Sequence, residues 1–232
     1  MDLRSPLGAR RWVCLVLALL MLGLIVSCDP PATKRTPAAA SPAKAASKYV
    51  VLTFDDGPDP AYTPQILDIL DDYDAKATFF ELGKEVARSP ALTRRIHERG
   101  HSVQNHTWSH PDLRKLSTAS FKQQVEKTDK SIREQTGSTP RCLRPPYGGT
   151  NSVVTKRAAG LRKKLVLWSL DSRDWTRPGK TAIVQRVLGG VRNGSVILFH
   201  DGGGNRSQTI AALPTILKTL KARGYGFRLA CS

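Results

Sequence analysis

Five separated segments hold residues whose types and spacing could do chemistry: Asp55-Asp56, His106 with His110, Arg144, Asp171 with Asp174, and His200-Asp201. On a helical turn, residues four apart bring their Cβ atoms to about 5–6 Å, so the imidazoles of His106 and His110 can share one ion. Imidazole suits zinc and similar divalent metals, and one carboxylate completes a three-ligand site with positions left for water and substrate. One of the two adjacent aspartates can supply that carboxylate. The other, pointing differently in the turn, is then free to act as a base on water. Taken singly each group has an ordinary explanation, since Asp pairs before Gly form turns and an Asp can cap a helix. Five such segments converging on one rim is a different matter.

The elements between them supply that rim. Tyr49–Phe54, Ala77–Phe80, His101–Asn105, Cys142–Arg144, Leu165–Leu170, Ser195–Phe199 and Tyr225–Ala230 read as strands. Thr63–Tyr73, Ala91–Arg99, Thr118–Gln135, Thr181–Val191 and Thr209–Ala222 carry helical spacing, with Pro64 suited to a first turn and Gly100 and Gly137 to helix ends. Strands alternating with helices imply βα units around a parallel sheet or barrel, an α/β fold whose chemistry gathers at the C-terminal ends of the strands. All five segments sit at such ends. Gly202-Gly203-Gly204 lacks the Lys-Ser/Thr of a phosphate loop and reads as a flexible rim loop.

The motifs Thr53–Pro58 (TFDDGP), His106–His110 (HTWSH), Arg144–Gly148 (RPPYG), Asp171–Trp175 (DSRDW) and Leu198–Asp201 (LFHD) resemble, in order, those of the polysaccharide deacetylases, the NodB-homology group or carbohydrate esterase family 4. The similarity spans about residues 48–230. It implies a distorted (β/α) barrel and an N-deacetylase of a GlcNAc-containing polysaccharide, peptidoglycan first and chitin oligosaccharides next. An O-acetyl esterase or a non-catalytic wall-binding protein are the competing readings. The resemblance further implies Asp56, His106 and His110 as ligands of one divalent metal ion, zinc first, with cobalt or another divalent metal also fitting. It makes Asp55 the general base, held by a bidentate pair with Arg144, and gives the backbone N–H of Tyr147 an oxyanion to stabilise. His200 becomes the acid. Asp171, which directly follows its strand, is expected to orient His200, leaving Asp174 to cap the next turn. Trp175 and Leu198 would wall an apolar slot for the acetyl methyl.

Residues 1–28 carry a basic start (Arg4, Arg10, Arg11), an apolar run Trp12–Ser27 and Cys28 after Ile25-Val26-Ser27. They read as a signal peptide with a lipobox-like end, which places the remainder outside the cytoplasm, on the outer face of the membrane through a lipid on Cys28 or secreted. Residues 29–47, rich in Pro, Ala, Ser and Lys, read as a flexible linker to a catalytic domain over residues 48–232. In an oxidising compartment Cys142 and Cys231 can pair, buried thiols being the alternative. The net charge of +17 draws the protein to anionic surfaces. No nucleic-acid-binding motif accompanies that charge, so the expected partners are a polysaccharide and the membrane, and the expected state is a monomer.

Overall fold

The computed structural model describes residues 48–231; the signal, lipobox and linker expected over residues 1–47 lie outside them. Strands β1 (Lys48–Asp55), β2 (Ala77–Glu81), β3 (Ser102–Asn105), β4 (Cys142–Leu143), β5 (Lys164–Leu165), β6 (Leu170–Asp171), β7 (Val196–His200) and β8 (Tyr225–Phe227) pair in parallel. Their order is β5-β4-β3-β2-β1-β7-β6, with β8 beside the first residues of β1. Helices α1 (Thr63–Asp72), α2 (Gly83–Arg88), α3 (Pro90–Glu98), α4 (Thr118–Thr136), α5 (Ser152–Gly160), α6 (Lys180–Gly190) and α7 (Ser207–Ala222) fill the connections. The sheet curls into a half-barrel, the α/β architecture expected. Among the described residues no helix is long and apolar enough to cross a membrane.

Alternation along β1 divides structure from chemistry. Leu52 and Phe54 join the core beneath the helices, where the Phe54 ring stacks on Phe79 of β2 at 5.1 Å and on Phe199 of β7 at 5.6 Å. Full burial of each Phe is worth roughly 1.5–3 kcal/mol. Thr53 and Asp55, one residue out of phase, face the inside of the curl, where both meet the Arg144 guanidinium. The same phase that buries three phenylalanines therefore aims the first catalytic candidate inward.

The single strand expected over Leu165–Leu170 is interrupted. Val166 N still donates to Leu143 O and Ser169 N to Val196 O, so the chain leaves β4 and arrives at β7, and Leu167 and Trp168 cross the gap between the two. Arg144 bonds the orphaned carbonyls of Val166 (3.1 Å) and Leu167 (3.2 Å), which is how an open edge can be buried beside the site. Helices α2 and α5 were not legible as helices. Only Gly83 and Val86 of α2, and Val154 and Ala158 of α5, are buried, too few to print a period. Cys142 and Cys231 form a disulfide, fastening the C-terminal segment to β4.

Candidate active site and metal centre

Asp56 follows β1 at φ 77°, in the left-handed region, so its carboxylate leaves the strand on a different bearing from that of Asp55. His106 follows β3. Its Nδ1–H donates to Arg144 O at 2.7 Å, because a carbonyl can only accept, and this tautomer leaves the Nε2 lone pair facing Asp56. Asp56 Oδ1 lies 3.5 Å from His106 Nε2 and 3.4 Å from His110 Nε2. Ligand atoms around a tetrahedral ion with bonds near 2.0–2.1 Å stand roughly 3.3 Å apart, so the spacing fits. Asp56 Oδ1 is buried and has no hydrogen-bond partner, and burial lowers the His106 pKa to about 3, keeping it a neutral donor. Two imidazoles and an unsatisfied carboxylate oxygen are a donor set for a divalent cation, and Asp56, His106 and His110 would hold it.

The two histidines are not on a helical turn. Thr107 (φ 73°) and His110 (φ 64°) are left-handed, and the rings meet edge-on with centroids 5.0 Å apart. A left-handed β-branched Thr is costly, and its neighbours hold it there. Asn105 Oδ1 accepts from Thr107 N (2.7 Å), Thr107 Oγ1 from His110 N (3.1 Å), and Gln124 Oε1 from Trp108 N and Ser109 N (2.9 and 3.0 Å). Asn105 Nδ2 in turn donates to Asp129 Oδ1 (2.8 Å), and Asp129 pairs with the buried Lys163 at 2.6 Å. The first amides of α2 complete the cradle, Gly83 N donating to Thr107 O and Lys84 N to Trp108 O. A Cβ on Gly83 would lie 2.5 Å from the Trp108 ring, so this approach needs glycine. Gln124, Asp129 and Lys163 escaped the sequence reading. Asp129 left a signal, as a charge on the buried stripe of α4 formed by Phe121, Val125 and Ile132.

Arg144, fully buried, donates through Nη1 to Asp55 Oδ1 at 2.7 Å and to Thr53 Oγ1 at 2.8 Å. The expected bidentate pair is thus a single-oxygen contact, since Nε and Nη2 turn to the carbonyls of Val166 and Leu167. Burial raises the Asp55 pKa, against the charge of Arg144 and those of His200 and His110. A divalent cation beside it would act in the lowering direction.

Across the cleft the partner of His200 is Asp174, which corrects the expectation of Asp171. Asp174 Oδ1 meets His200 Nδ1 at 2.8 Å, while Oδ2 accepts from His200 N (2.9 Å) and Thr209 Oγ1 (2.8 Å). Asp171 closes β6 and folds onto its own turn, accepting from Arg173 N at 2.7 Å. Arg173, left-handed at φ 56°, turns the chain so that Asp174 drops beneath the end of β7. Burial alone would lower the His200 pKa, but the hydrogen bond and charge of Asp174, with Asp55 and Asp56, raise it. Asp174 is lowered in exchange: its bonds to His200 outweigh burial.

Asp55, Asp56, His106, His110, Tyr147, Asp171, Trp175, Leu198 and His200 all line one cleft of about 460 Å³. Leu198 is buried and Trp175 half exposed, and Trp168, from the break between β5 and β6, adds an aromatic wall the strand reading had hidden. Tyr147, at φ 60°, sits edge-on to His110 with centroids 4.5 Å apart. Asp201 is no part of the cleft wall: it is buried, bonded by Thr63 Oγ1 at 2.6 Å, and raised to about 7 by burial. Gly202 and Gly203 pack tightly where a flexible loop was expected, since Cβ atoms on them would lie 2.3 Å from Asp56 O and 2.6 Å from Asp56 Oδ2.

Residues 43–166 match the polysaccharide deacetylase family. A peptidoglycan-N-acetylglucosamine deacetylase of Bacillus cereus is 44% identical over 183 residues, 78% of this chain and 85% of the relative. A chitooligosaccharide deacetylase of Sinorhizobium fredii is 41% identical over 190 residues, 77% of this chain and 88% of its own. Among solved structures, the Bc1960 peptidoglycan N-acetylglucosamine deacetylase superposes with a TM-score of 0.77 at 39% identity, covering 79% of this chain and 87% of that one. With the motif residues gathered on one rim and the likeness running through most of the chain, this protein belongs to the polysaccharide deacetylase family.

Proposed function

We propose that the protein is a metal-dependent N-deacetylase of a GlcNAc-containing polysaccharide, with peptidoglycan the first substrate and chitin oligosaccharides the second. The observation that carries this reading is a cleft with an Asp56/His106/His110 cluster on one wall and an Asp174-held His200 on the other, with the Arg144-bound Asp55 lining it as well. Zinc is the ion the two-imidazole, one-carboxylate set favours. When bound, it supplies Lewis acidity that polarises the acetyl carbonyl and acidifies water.

The chain's own groups divide the remaining work. Asp55, fixed by Arg144, takes the proton of the attacking water. The N–H of Tyr147 stabilises the charge that develops on the acetyl oxygen. His200, kept protonated by Asp174, gives its proton to the departing amine, a poor leaving group without it. Leu198 and Trp175 receive the methyl. Every group comes from one chain, which supports a monomeric enzyme. The basic start, the apolar run and Cys28 support export with a lipid anchor, which holds the cleft beneath the wall. Mass analysis of a mature N-terminus other than lipidated Cys28 would dispose of the anchor.

The test is acetate release from peptidoglycan, chitin oligosaccharides and acetylated xylan, each with metal chelated and then with zinc restored. Zinc-dependent release from the first or second is expected. Release from xylan alone would replace the amide reading with an ester one; bound metal without release from any would place the substrate outside these three, and failure to bind any divalent metal would leave a wall-binding protein.

A further inference from the structure

Three Lys or Arg side chains are buried among the described residues: Arg144, Lys163 and Arg206. Arg144 pairs with Asp55 and Lys163 with Asp129. Arg206, 4% exposed, does not: its Nε donates to Gly202 O at 2.7 Å, and no carboxylate of the described residues lies within 4.0 Å of it. It lines the same cleft as His200 and Gly203. Taking a cation out of water costs several kcal/mol unless an anion compensates, so a buried guanidinium left unpaired in a cleft wall is completed by what enters the cleft. The Nε bond fixes the plane of the fork, leaving its Nη edge to meet a carboxylate, the anion whose geometry the fork matches. On the rim beside it further positive charge gathers, while Asp55, Asp56 and Asp171 carry the negative charge of the cleft. Gly179 N bonds Gln208 Oε1 at 2.7 Å, pinning the segment that carries exposed Arg173, Arg177 and Lys180 against the start of α7.

We propose that Arg206 is the carboxylate receptor of the cleft, and that the carboxylate is either an acidic substituent of the glycan chain or the acetate released. This rests on the deacetylase reading and deepens it, because an acidic glycan would gain a contact that a neutral one lacks.

The zinc-loaded full chain and its Arg206→Gln and Arg206→Lys variants are compared on two N-acetylated oligosaccharides of equal length. One is a peptide-free peptidoglycan glycan with free lactyl carboxylates, the other a neutral chitin oligosaccharide. Sodium acetate is titrated into each, both as inhibitor and, by calorimetry, as ligand. If the glycan supplies the carboxylate, Arg206→Gln raises KM about tenfold on the acidic oligosaccharide only, with Arg206→Lys recovering part, the weight of one charge-assisted hydrogen bond. If the product supplies it, acetate affinity falls about tenfold while both KM values hold. Equal changes on both oligosaccharides with acetate affinity unmoved would overturn the proposal and leave Arg206 a brace for Gly202. Should the wild type release no acetate at all, the deacetylase reading fails. Calorimetry then decides the receptor alone: acetate binding lost in Arg206→Gln sustains it, and binding unchanged or absent in the wild type overturns it.

Discussion

On one wall of the cleft, Asp56, His106 and His110 bring three ligand atoms together yet leave Asp56 Oδ1 without a hydrogen bond, on a loop held in left-handed conformations. On the other, both oxygens of Asp174 are occupied by His200 and Thr209, and His200 keeps Nε2 for the cleft. The first wall offers a donor set that fits a divalent cation, and Asn105, Gln124 and α2 hold its geometry. The second carries its own counter-charge. The two walls are therefore separately built, so disabling one should leave the other's geometry in place.

The largest effect should follow from the metal wall. Asp56→Ala or His110→Ala is expected to abolish stoichiometric zinc and lower kcat/KM by about a thousandfold or more, measured by metal content and acetate release. His200→Ala should keep its zinc and lose about 10²–10⁴ on an N-acetyl substrate. Its loss on an O-acetyl ester should be much smaller, since an alcohol leaves more readily; equal losses on both would sink the role of His200 as acid.

Within the second wall, Asp174→Asn is expected to cost about a hundredfold in kcat, and Asp171→Asn only a few-fold. Because Asp174 raises the His200 pKa, its neutralisation lets that pKa fall, so the descending alkaline limb of the rate profile should move to lower pH. A limb that stays in place, or moves only in Asp171→Asn, would restore Asp171 as the partner. Stability follows the same pair. The contribution of His200 is full below its unfolded value and lost as pH rises through the folded one; that of Asp174 is lost as pH falls through its depressed value.

The smallest effect on rate should come from behind the metal loop. Asp129→Ala leaves Lys163 buried with the Pro140 carbonyl but without its counter-charge, and is expected to cost about 3 kcal/mol of stability, read from denaturant unfolding. Its kcat should fall only modestly so long as Gln124 still holds Trp108 and Ser109.

The strands that end in Asp55 and His200 were legible because an apolar run aligned with a turn signal leaves few alternatives. What stayed hidden depended on backbone bends that residue types do not announce. Spacing of four marked His106 and His110 as neighbours, which they are, but by the wrong route, a left-handed loop standing in for a helical turn. Asp171 was chosen over Asp174 by distance along the chain, and left-handed Arg173 reverses that order in space. Val166-Leu167-Trp168 has strand composition, yet its carbonyls serve Arg144, a partner 22 residues before Val166. Arg206, charged and two residues past the glycine run, carries no sequence sign of burial without a counter-ion.

The most direct test of the account is calorimetric titration of zinc into the metal-stripped protein and into His106→Ala. One tight equivalent per wild-type chain is expected and none in the variant, with His200→Ala binding as wild type does. Zinc that binds equally well without His106, or fails to bind the wild type, would contradict it.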